Sequence, residues 1–214
     1  MSERTCITIL TWNRLNTLKK TLAEFYEYNG KSQDIMVLDN GSKDGTPDWL
    51  RSEGFDILSE DVNLGVFDGT MKLWQEALKR GYDFILNLQD DFPCIATIPF
   101  DTLEAFLDQE KDVGYIRLND KKDQTENIVT RKPIVFGEKI KLGNYKFRKY
   151  NYHATFNPCL IRSKLVPLFV KDQKKHRERG LMEKFAATGL LAARVYPSMF
   201  ITLPQRPRIN GWKN

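Results

Sequence analysis

Two adjacent carboxylates follow a hydrophobic run in the segment ILNLQDDF, residues 85–92. Asp90 and Asp91 come directly after the apolar stretch. Two like charges at the end of a buried strand repel each other and cost free energy unless a positive group lies beside them. Two interpretations are open. Either the strand end is solvated, or the pair binds a divalent cation and whatever that cation holds, because hard cations prefer oxygen ligands.

The elements that position these carboxylates alternate between strand and helix patterns. The β-branched run CITILT (6–11) predicts a strand, and the segment after it has apolar residues at helical spacing, at Leu15, Leu18, Leu22 and Phe25. Three further runs predict strands, each followed by a helix or a loop: DIMVLD (34–39), FDILSE (55–60) and DFILNL (83–88). This alternation predicts an α/β fold with a mostly parallel central sheet flanked by helices.

Polar side chains stand where these strands end. Thr11, Asn13 and Arg14 follow the first strand, Asp39 ends the second, and the pair at 90 and 91 follows the fourth. In parallel α/β sheets, ligands bind beyond the carboxyl ends of the strands, where the loops converge. We therefore expect these groups to face one crevice.

The second half of the chain is less regular. VGYIRL (113–118) predicts a strand, and the segment 133–153 predicts a hairpin with Gly143-Asn144 as its turn. A helix is expected within 176–189, ended by Gly189, and AARVYP (192–197) predicts a last strand.

Four segments in order resemble one family. ITILTWNRLNTLKKTL, DIMVLDNGSKDGTPDWL, NLGVFDG and FILNLQDDF, between residues 7 and 92, together resemble the nucleotide-sugar-binding half of a GT-A glycosyltransferase of the family 2 type. The resemblance implies a single GT-A domain over residues 1–214. Residues 1–110 would form the nucleotide-sugar-binding half and residues 111–214 a basic acceptor-binding half.

The resemblance also implies the donor-binding residues, which are Thr11, Asn13, Arg14, Asp39, Gly65, Asp68 and Asp90. Asp39 matches the residue that accepts hydrogen bonds from the base or ribose of the donor. From the residues alone, another interpretation stays open, because Asn13, Asp44 and Asp68 are residue types that cap helices and form turns.

Family members carry an acidic triplet whose last carboxylate binds Mg²⁺ or Mn²⁺, and here the triplet reads Gln89-Asp90-Asp91. The resemblance implies a metal-binding Asp91, an Asp90 that takes part in catalysis at the donor ribose or sugar, and a nucleotide-diphosphate sugar as donor, most commonly of uridine. Gln89 removes one charge from the pattern, and the C-terminal segment PQRPRINGW lacks the family's metal-ligating histidine.

Transfer with inversion needs a base for the acceptor hydroxyl, which in the family is a carboxylate near the start of a late helix. Glu183 is the residue that we match to it, and the alternative is a surface glutamate paired with a nearby Arg or Lys. The two histidines fit this role less well, because His153 lies among aromatic residues and His176 lies in a basic run.

The charge is divided unevenly along the chain. Residues 1–110 hold 10 Lys and Arg against 20 Asp and Glu, whereas residues 111–214 hold 23 against 8. The excess in the second half either serves solubility or attracts an anionic partner. The candidate acceptor-binding residues are Asn157, Arg162, Lys174, Lys175, Arg177, Arg206, Arg208 and Trp212. DNA with hydroxymethylated bases, as in some phages, would supply both anion and hydroxyl, and a lipid-linked or surface glycan is the alternative acceptor.

Two other classes compete with this reading, a nucleotidyltransferase and a non-catalytic nucleic-acid-binding protein. The loop TWNRLNTL has no glycine for a phosphate loop, and a binding module leaves the aspartates without a purpose. No secretory segment or run of eighteen apolar residues is present, and Cys6, Cys94 and Cys159 are widely spaced. We therefore expect a cytoplasmic protein with buried thiols, while the oligomeric state stays open.

Overall fold

The described part of the chain forms one nine-stranded sheet with helices on both faces. The computed structural model describes residues 3–119, 126–127, 129–152, 154–170 and 178–201. The strands are β1 (Thr5–Thr11), β2 (Ile35–Asp39), β3 (Asp56–Ser59), β4 (Phe84–Gln89), β5 (Val113–Arg117), β6 (Phe136–Leu142), β7 (Tyr145–Tyr150), β8 (Cys159–Arg162) and β9 (Leu191–Tyr196). The helices are α1 (Leu15–Asn29), α2 (Thr46–Ser52), α3 (Gly65–Lys79), α4 (Phe100–Gln109), α5 (Val166–Val170) and α6 (Glu178–Ala187), with a 3₁₀ turn at Ser163–Leu165.

The sheet is mixed, in the order β3-β2-β1-β4-β8-β5-β9-β7-β6. The pairs β3–β2, β2–β1, β1–β4 and β5–β9 are parallel, and the other four are antiparallel. The predicted α/β fold with a flanked central sheet is confirmed, but the prediction of a mostly parallel sheet is wrong. Half of the strand pairs are antiparallel, because β8 inserts antiparallel between β4 and β5 and the β6–β7 hairpin adds two more antiparallel pairs.

Alternation along the strands produces two hydrophobic cores. Ile7 and Ile9 face one core with side chains of α1, α2 and α4, and Cys6 faces the other with side chains of α3, α5 and α6. We call these two sides of the sheet the α1 face and the α6 face. Each fully buried large side chain, such as Trp74 of α3, stabilises the fold by about 1.5–3 kcal/mol. Every central strand is therefore covered on both sides, and polar chemistry is left to the strand ends.

Helix α3 lies unusually close to β1. A Cβ on Gly69 would come within 2.6 Å of the Leu10 side chain, so any larger residue here would require Leu10 to move. The contact fixes the first turn of α3, which carries Asp68, beside the carboxyl end of β1.

The cysteines agree with the sequence prediction. Cys6, Cys94 and Cys159 are all buried and none forms a disulfide. Among the helices of the described ranges, none has both the length and the apolar composition needed to cross a membrane.

Candidate active site

The carboxyl ends of β1, β2 and β4 meet at one edge of the sheet. Thr11 is in register with Asp39 on β2, and Leu10 is in register with Gln89 on β4. Asp39 and Asp90 therefore lie on either side of the end of β1. The structure brings together the strand ends that the sequence analysis expected to share a crevice.

Arg14 lies between the two adjacent aspartates. Its Nη1 donates to Oδ1 of Asp90 at 3.2 Å and to Oδ2 of Asp91 at 3.0 Å. The three side chains are almost wholly buried, with Arg14 only 12% exposed. Thr11 adds a hydrogen bond from its Oγ1 to Oδ2 of Asp90 at 3.1 Å. The chain itself thus provides the positive group that two buried neighbouring carboxylates require.

Burial raises the pKa of Asp90 to about 7, and the adjacent Asp91 charge adds to this effect. The Arg14 charge and the Thr11 hydroxyl act in the opposite direction, because both favour the ionised carboxylate. Asp90 therefore changes protonation near neutral pH, which is a property shared by many groups at functional sites.

Of the two carboxylate oxygens of Asp39, one accepts a hydrogen bond and the other accepts none from the described residues. The side chain is buried, and Oδ2 accepts a hydrogen bond from the Ser42 N–H at 3.2 Å. Oδ1 is also buried and has no hydrogen-bond partner within the described residues. A buried acceptor without a donor costs about 1–3 kcal/mol, so a ligand N–H or hydroxyl bound there would recover that free energy.

The turn after β2 holds the loop before α3. Asn40, fully buried, accepts a hydrogen bond from the Leu64 N–H and donates to Oδ1 of Asn63, both at 2.9 Å. Gly41 has φ of 80°, and a Cβ on it would lie 2.9 Å from the Val62 backbone. These contacts set Gly65 at the start of α3, with Asp68 in its first turn. Sequence reasoning missed Asn40, whose signal was its position directly after Asp39.

Asn13 and Asp44 connect neighbouring loops. The Asn13 N–H donates to Oγ of Ser42 at 2.9 Å, and its Oδ1 accepts from the Lys43 N–H at 2.7 Å. Asp44 accepts from the Leu15 N–H at 2.9 Å, at the start of α1. Asp44 is therefore a turn and capping residue, as the second interpretation held. Asn13 organises the same loops at the edge where the base pocket is expected.

Two glutamates of α6 differ in their surroundings. Glu183 is 52% exposed and accepts a hydrogen bond from Arg179 at 2.9 Å, which is the surface pair considered as its alternative. Glu178, the first residue of α6, accepts from the Phe156 N–H at 2.9 Å, and the Phe156 carbonyl accepts from Asn87 of β4 at 2.6 Å. Glu178 is thus connected to the strand that leads to Asp90. Sequence reasoning missed it, although it meets the criterion of a carboxylate at the start of a late helix.

Arg162 lies away from the carboxylates. It pairs with Phe84, at the amino end of β4, so it belongs to the opposite edge of the sheet. Its buried guanidinium donates to the carbonyls of Val113 at 2.8 Å and Glu110 at 3.2 Å, and to that of Leu107. The prediction that Arg162 contacts the acceptor is corrected on this ground, because these bonds give it a structural role between β8, α4 and β5.

Asn157 lies next to Phe156, whose backbone N–H donates to Glu178. It follows Phe156 directly, and its Nδ2 donates to Oγ1 of Thr155 at 3.1 Å. The other candidate acceptor residues lie outside the described residues, namely Lys174, Lys175, Arg177, Arg206, Arg208 and Trp212, and so do His153 and His176.

The carboxylate pair fits a divalent cation that arrives with phosphates. Across the described ranges there is no group of three or more His, Cys, Asp and Glu side chains arranged to hold a metal alone. Mg²⁺ and Mn²⁺ commonly take one or two carboxylates and complete their shell with substrate phosphates, which Asp90 and Asp91 match as oxygen donors. A cation on Asp91 would take over from Arg14 the neutralisation of that carboxylate.

A cavity of about 590 Å³ lies at the other edge of the sheet. Its lining includes Asp34 and Ile35 at the amino end of β2, with Tyr26 and Trp49 from the covering helices, and it shares no residue with the aspartate cluster. We place the site at the carboxyl edge, because the unpartnered oxygen of Asp39 and the paired charges of Asp90, Asp91 and Arg14 are there.

Comparisons with known proteins identify the family and the fold of this chain. The family model described as glycosyl transferase family 2 matches residues 6–162, well over half of the chain. The fold is similar to that of S. aureus TarS 1-349, with a TM-score of 0.61 and 12% identity, over 93% of this chain and 60% of that one. It is also similar to the mannosyltransferase PcManGT from Pyrobaculum calidifontis, with a TM-score of 0.62 and 15% identity, over 98% of this chain and 58% of that one.

The chain therefore spans about three fifths of the length of these structures. No curated protein matches it in sequence. The predicted GT-A fold is confirmed, and the family match extends well beyond residue 92, where the recognisable segments end. The chain belongs to glycosyl transferase family 2.

Proposed function

We propose that this protein transfers a sugar, with inversion, from a nucleotide-diphosphate sugar to a hydroxyl group of an anionic acceptor. The observation that carries the proposal is the pairing, at one sheet edge, of a buried unpartnered oxygen on Asp39 with the Asp90–Arg14–Asp91 cluster. The Asp39 oxygen would accept a hydrogen bond from an N–H or hydroxyl of the ligand. The Asp90–Arg14–Asp91 cluster would balance charge where the diphosphate lies.

The donor is proposed to lie along this edge, with Asp39 accepting from its base or ribose and Asp90 near its ribose or sugar. Thr11, Asn13 and Arg14 would line the base side, and Gly65 and Asp68 the diphosphate side. Structures of the neighbours support a nucleotide-sugar donor, since one is TarS 1-349 in complex with UDP-GlcNAc, at a TM-score of 0.60 and 10% identity. We propose a uridine diphosphate sugar here.

A divalent cation is proposed to be held by Asp91, and it would stabilise the departing diphosphate when bound. The PcManGT structure, which is in complex with GDP-Man and Mn²⁺, supports such a cation in this fold. Arg14 would hold Asp90 in place during transfer.

We propose that Glu178 acts as the base, with Glu183 as the second candidate. The acceptor hydroxyl would lose its proton to the Glu178 carboxylate while its oxygen forms a bond to the anomeric carbon. The bond between that carbon and the diphosphate oxygen breaks, and the diphosphate leaves with the electron pair. The Phe156 N–H would orient Glu178 through its hydrogen bond to Oε1.

The acceptor is proposed to be anionic, bound by the half comprising residues 111–214, while residues 1–110 bind the donor. The excess of 23 Lys and Arg over 8 Asp and Glu in the second half supports this division. DNA with hydroxymethylated bases is one such acceptor, and a lipid-linked or surface glycan is the alternative. A cytoplasmic location remains a prediction.

A thermal-shift screen with UDP, GDP and ADP, each with and without Mn²⁺, tests the donor site. Because a ligand that binds only the folded state stabilises it, by about 2.7 kcal/mol at a hundred times its Kd, we expect UDP with Mn²⁺ to raise the melting temperature by several degrees. If no nucleoside diphosphate shifts the melting temperature, the proposal is wrong.

Hydrolysis of the donor separates the competing classes. In the absence of acceptor, a glycosyltransferase slowly releases nucleoside diphosphate from UDP-glucose or UDP-GlcNAc in the presence of Mn²⁺. A nucleotidyltransferase would instead release no nucleoside diphosphate, and a binding module would leave the nucleotide sugar intact.

A further inference from the structure

The β6–β7 hairpin carries like charges opposite each other. Lys139 is in register with Arg148, and Lys141 is in register with Lys146. Side chains in register on neighbouring strands point to the same face, where like charges directly opposite are destabilising. We call these four residues the basic face of the hairpin.

No carboxylate of the described residues pairs with the basic face. Within the described residues, none of its four side chains forms an ion pair, and Arg148 donates only to the carbonyl of Gly137 and lies over the Phe136 ring, 4.5 Å from its centroid. Lys149, which points to the other face, is paired with Glu110 and Asp112 at 2.9 Å each. Among the described residues, the same strand therefore pairs the cation on its α1 face with carboxylates but not Lys146 and Arg148 on its α6 face.

From the basic face, a row of basic residues in register continues across the sheet towards its centre. Arg148 is in register with Arg194 on β9, and Arg194 with Arg117 on β5. Since neighbouring strands lie about 4.8 Å apart, Lys139, Arg148, Arg194 and Arg117 span roughly 14 Å in a line. Lys139 is exposed, whereas Arg194 and Arg117 are buried, so the line leads from the sheet edge towards its centre.

The inner end of this row approaches the proposed acceptor side. Arg117 is in register with Cys159, and Cys159 with Asn87 of β4, which donates to the Phe156 carbonyl beside Glu178. Both the row and α6 belong to the α6 face of the sheet. The exposed cations of the hairpin therefore lie on the same face of the sheet as the proposed base, three strands away from β8.

We propose that the basic face of the hairpin binds the phosphodiester backbone of a polymeric acceptor and leads it towards Glu178. The inference rests on the proposed function for the identity of the reaction. Two pairs of cations on a narrow two-stranded hairpin fit a single chain of phosphates, whereas a membrane presents a wide plane of charge. Nucleic acid and polyol-phosphate polymers share this backbone chemistry, so both are used as probes.

The test compares the wild type with the triple variant Lys139→Gln, Lys141→Gln, Lys146→Gln. Binding is measured by fluorescence anisotropy with a labelled single-stranded oligodeoxynucleotide and with a labelled poly(glycerol phosphate) chain, over a range of salt concentrations. We expect binding about 10- to 100-fold weaker at low salt, and for the oligonucleotide a slope of log K against log salt smaller by about 2, because about 0.7 counterion is released per contact.

The matched control is Lys20→Gln, Lys79→Gln, Lys111→Gln, which removes the same charge from exposed positions on other elements. It should bind both probes like the wild type. The hairpin variant should melt no lower than the wild type, since it removes repulsion, and its UDP-dependent thermal shift should be unchanged.

Equal losses in the two triple variants would overturn the proposal, because only net charge would then matter. Binding of neither polymer, together with binding to phosphatidylglycerol vesicles, would overturn it in favour of a membrane surface. Polymer binding by a protein that no nucleoside diphosphate stabilises would instead contradict the proposed function and leave the hairpin site standing.

Discussion

The carboxyl edge of β1, β2 and β4 and the β6–β7 hairpin handle charge in opposite ways. At the carboxyl edge, Asp90 and Asp91 are paired with a largely buried arginine, and Asp90 also with a hydroxyl, before any ligand arrives. On the hairpin, exposed lysines stand opposite lysine and arginine, and none of these cations forms an ion pair with another described residue. The first region has fixed hydrogen-bonding groups that suit one small ligand. The second has a positive electrostatic potential that would attract many different anionic chains.

The largest expected effect belongs to the proposed base. Glu178→Gln keeps an oxygen that accepts the Phe156 N–H but removes the base, so kcat should fall by about 10²- to 10⁴-fold with little change in KM for the donor. Glu183→Gln is the matched control, and it should change kcat less than about twofold, because an exposed surface pair contributes little. The measurement is transfer from a nucleotide sugar to acceptor. A large loss in Glu183→Gln with normal activity in Glu178→Gln would reverse the assignment.

The donor edge is tested next through Asp39→Asn. The amide oxygen takes the place of Oδ2 and still accepts from the Ser42 N–H, whereas an NH₂ group replaces the unpartnered Oδ1. Nucleoside diphosphate should therefore bind about 10- to 100-fold more weakly. Titration calorimetry measures the Kd. The control is Asp56→Asn, the same change at the amino end of β3, which should leave the Kd unaltered. Equal Kd values for Asp39→Asn and the wild type would show that the donor does not use this oxygen.

The buried charge of the donor edge has a cost that depends on pH. The pKa of Asp90 is raised to about 7 in the folded protein, so the folded state holds a proton that the unfolded state has lost between about pH 4 and pH 7. Stability from this group therefore falls as the pH rises through that window. At pH 8 the free energy of unfolding of Asp90→Asn should exceed that of the wild type by on the order of 1–3 kcal/mol. This stabilisation should be smaller at pH 5.

Thermal melting of both proteins at pH 5 and pH 8 measures that difference. A gain in melting temperature that is the same at the two pH values would show that Asp90 is ionised throughout. Transfer activity should be reduced in Asp90→Asn at either pH, since the residue is proposed to lie at the donor ribose or sugar.

The smallest effect belongs to the hairpin. Lys141→Glu turns a repulsive pair with Lys146 into an attractive one, and the free energy of unfolding should rise by about 0.2–1 kcal/mol at low salt. The gain should decline as salt increases, because these side chains are exposed. Chemical denaturation at two salt concentrations checks it. A loss of stability would mean that the two lysines do not face each other.

Much of the first half of the fold was accessible from the chain alone, because its signals are local. The strands at 5–11, 35–39 and 84–89 and the helices between them follow from periodicity over a few residues, and the aspartates at their ends follow from the parallel order of the strands. The same reasoning failed for β8. The antiparallel insertion of β8 depends on a pairing with β4 across more than seventy residues, which no local pattern specifies.

Residue roles divide in the same way. The chain alone indicated that Asp39, Asp90 and Asp91 share a crevice, since strand ends are a local feature, and it indicated the excess of basic residues in the second half. Only the packed structure distinguished Arg14, which neutralises two aspartates, from Arg162, which binds three carbonyls, because both are an arginine near a strand end in the sequence. Likewise, the hydrogen bond of Glu178 and the alignment of Lys139, Arg148, Arg194 and Arg117 exist only through pairing between distant segments, which no local pattern specifies.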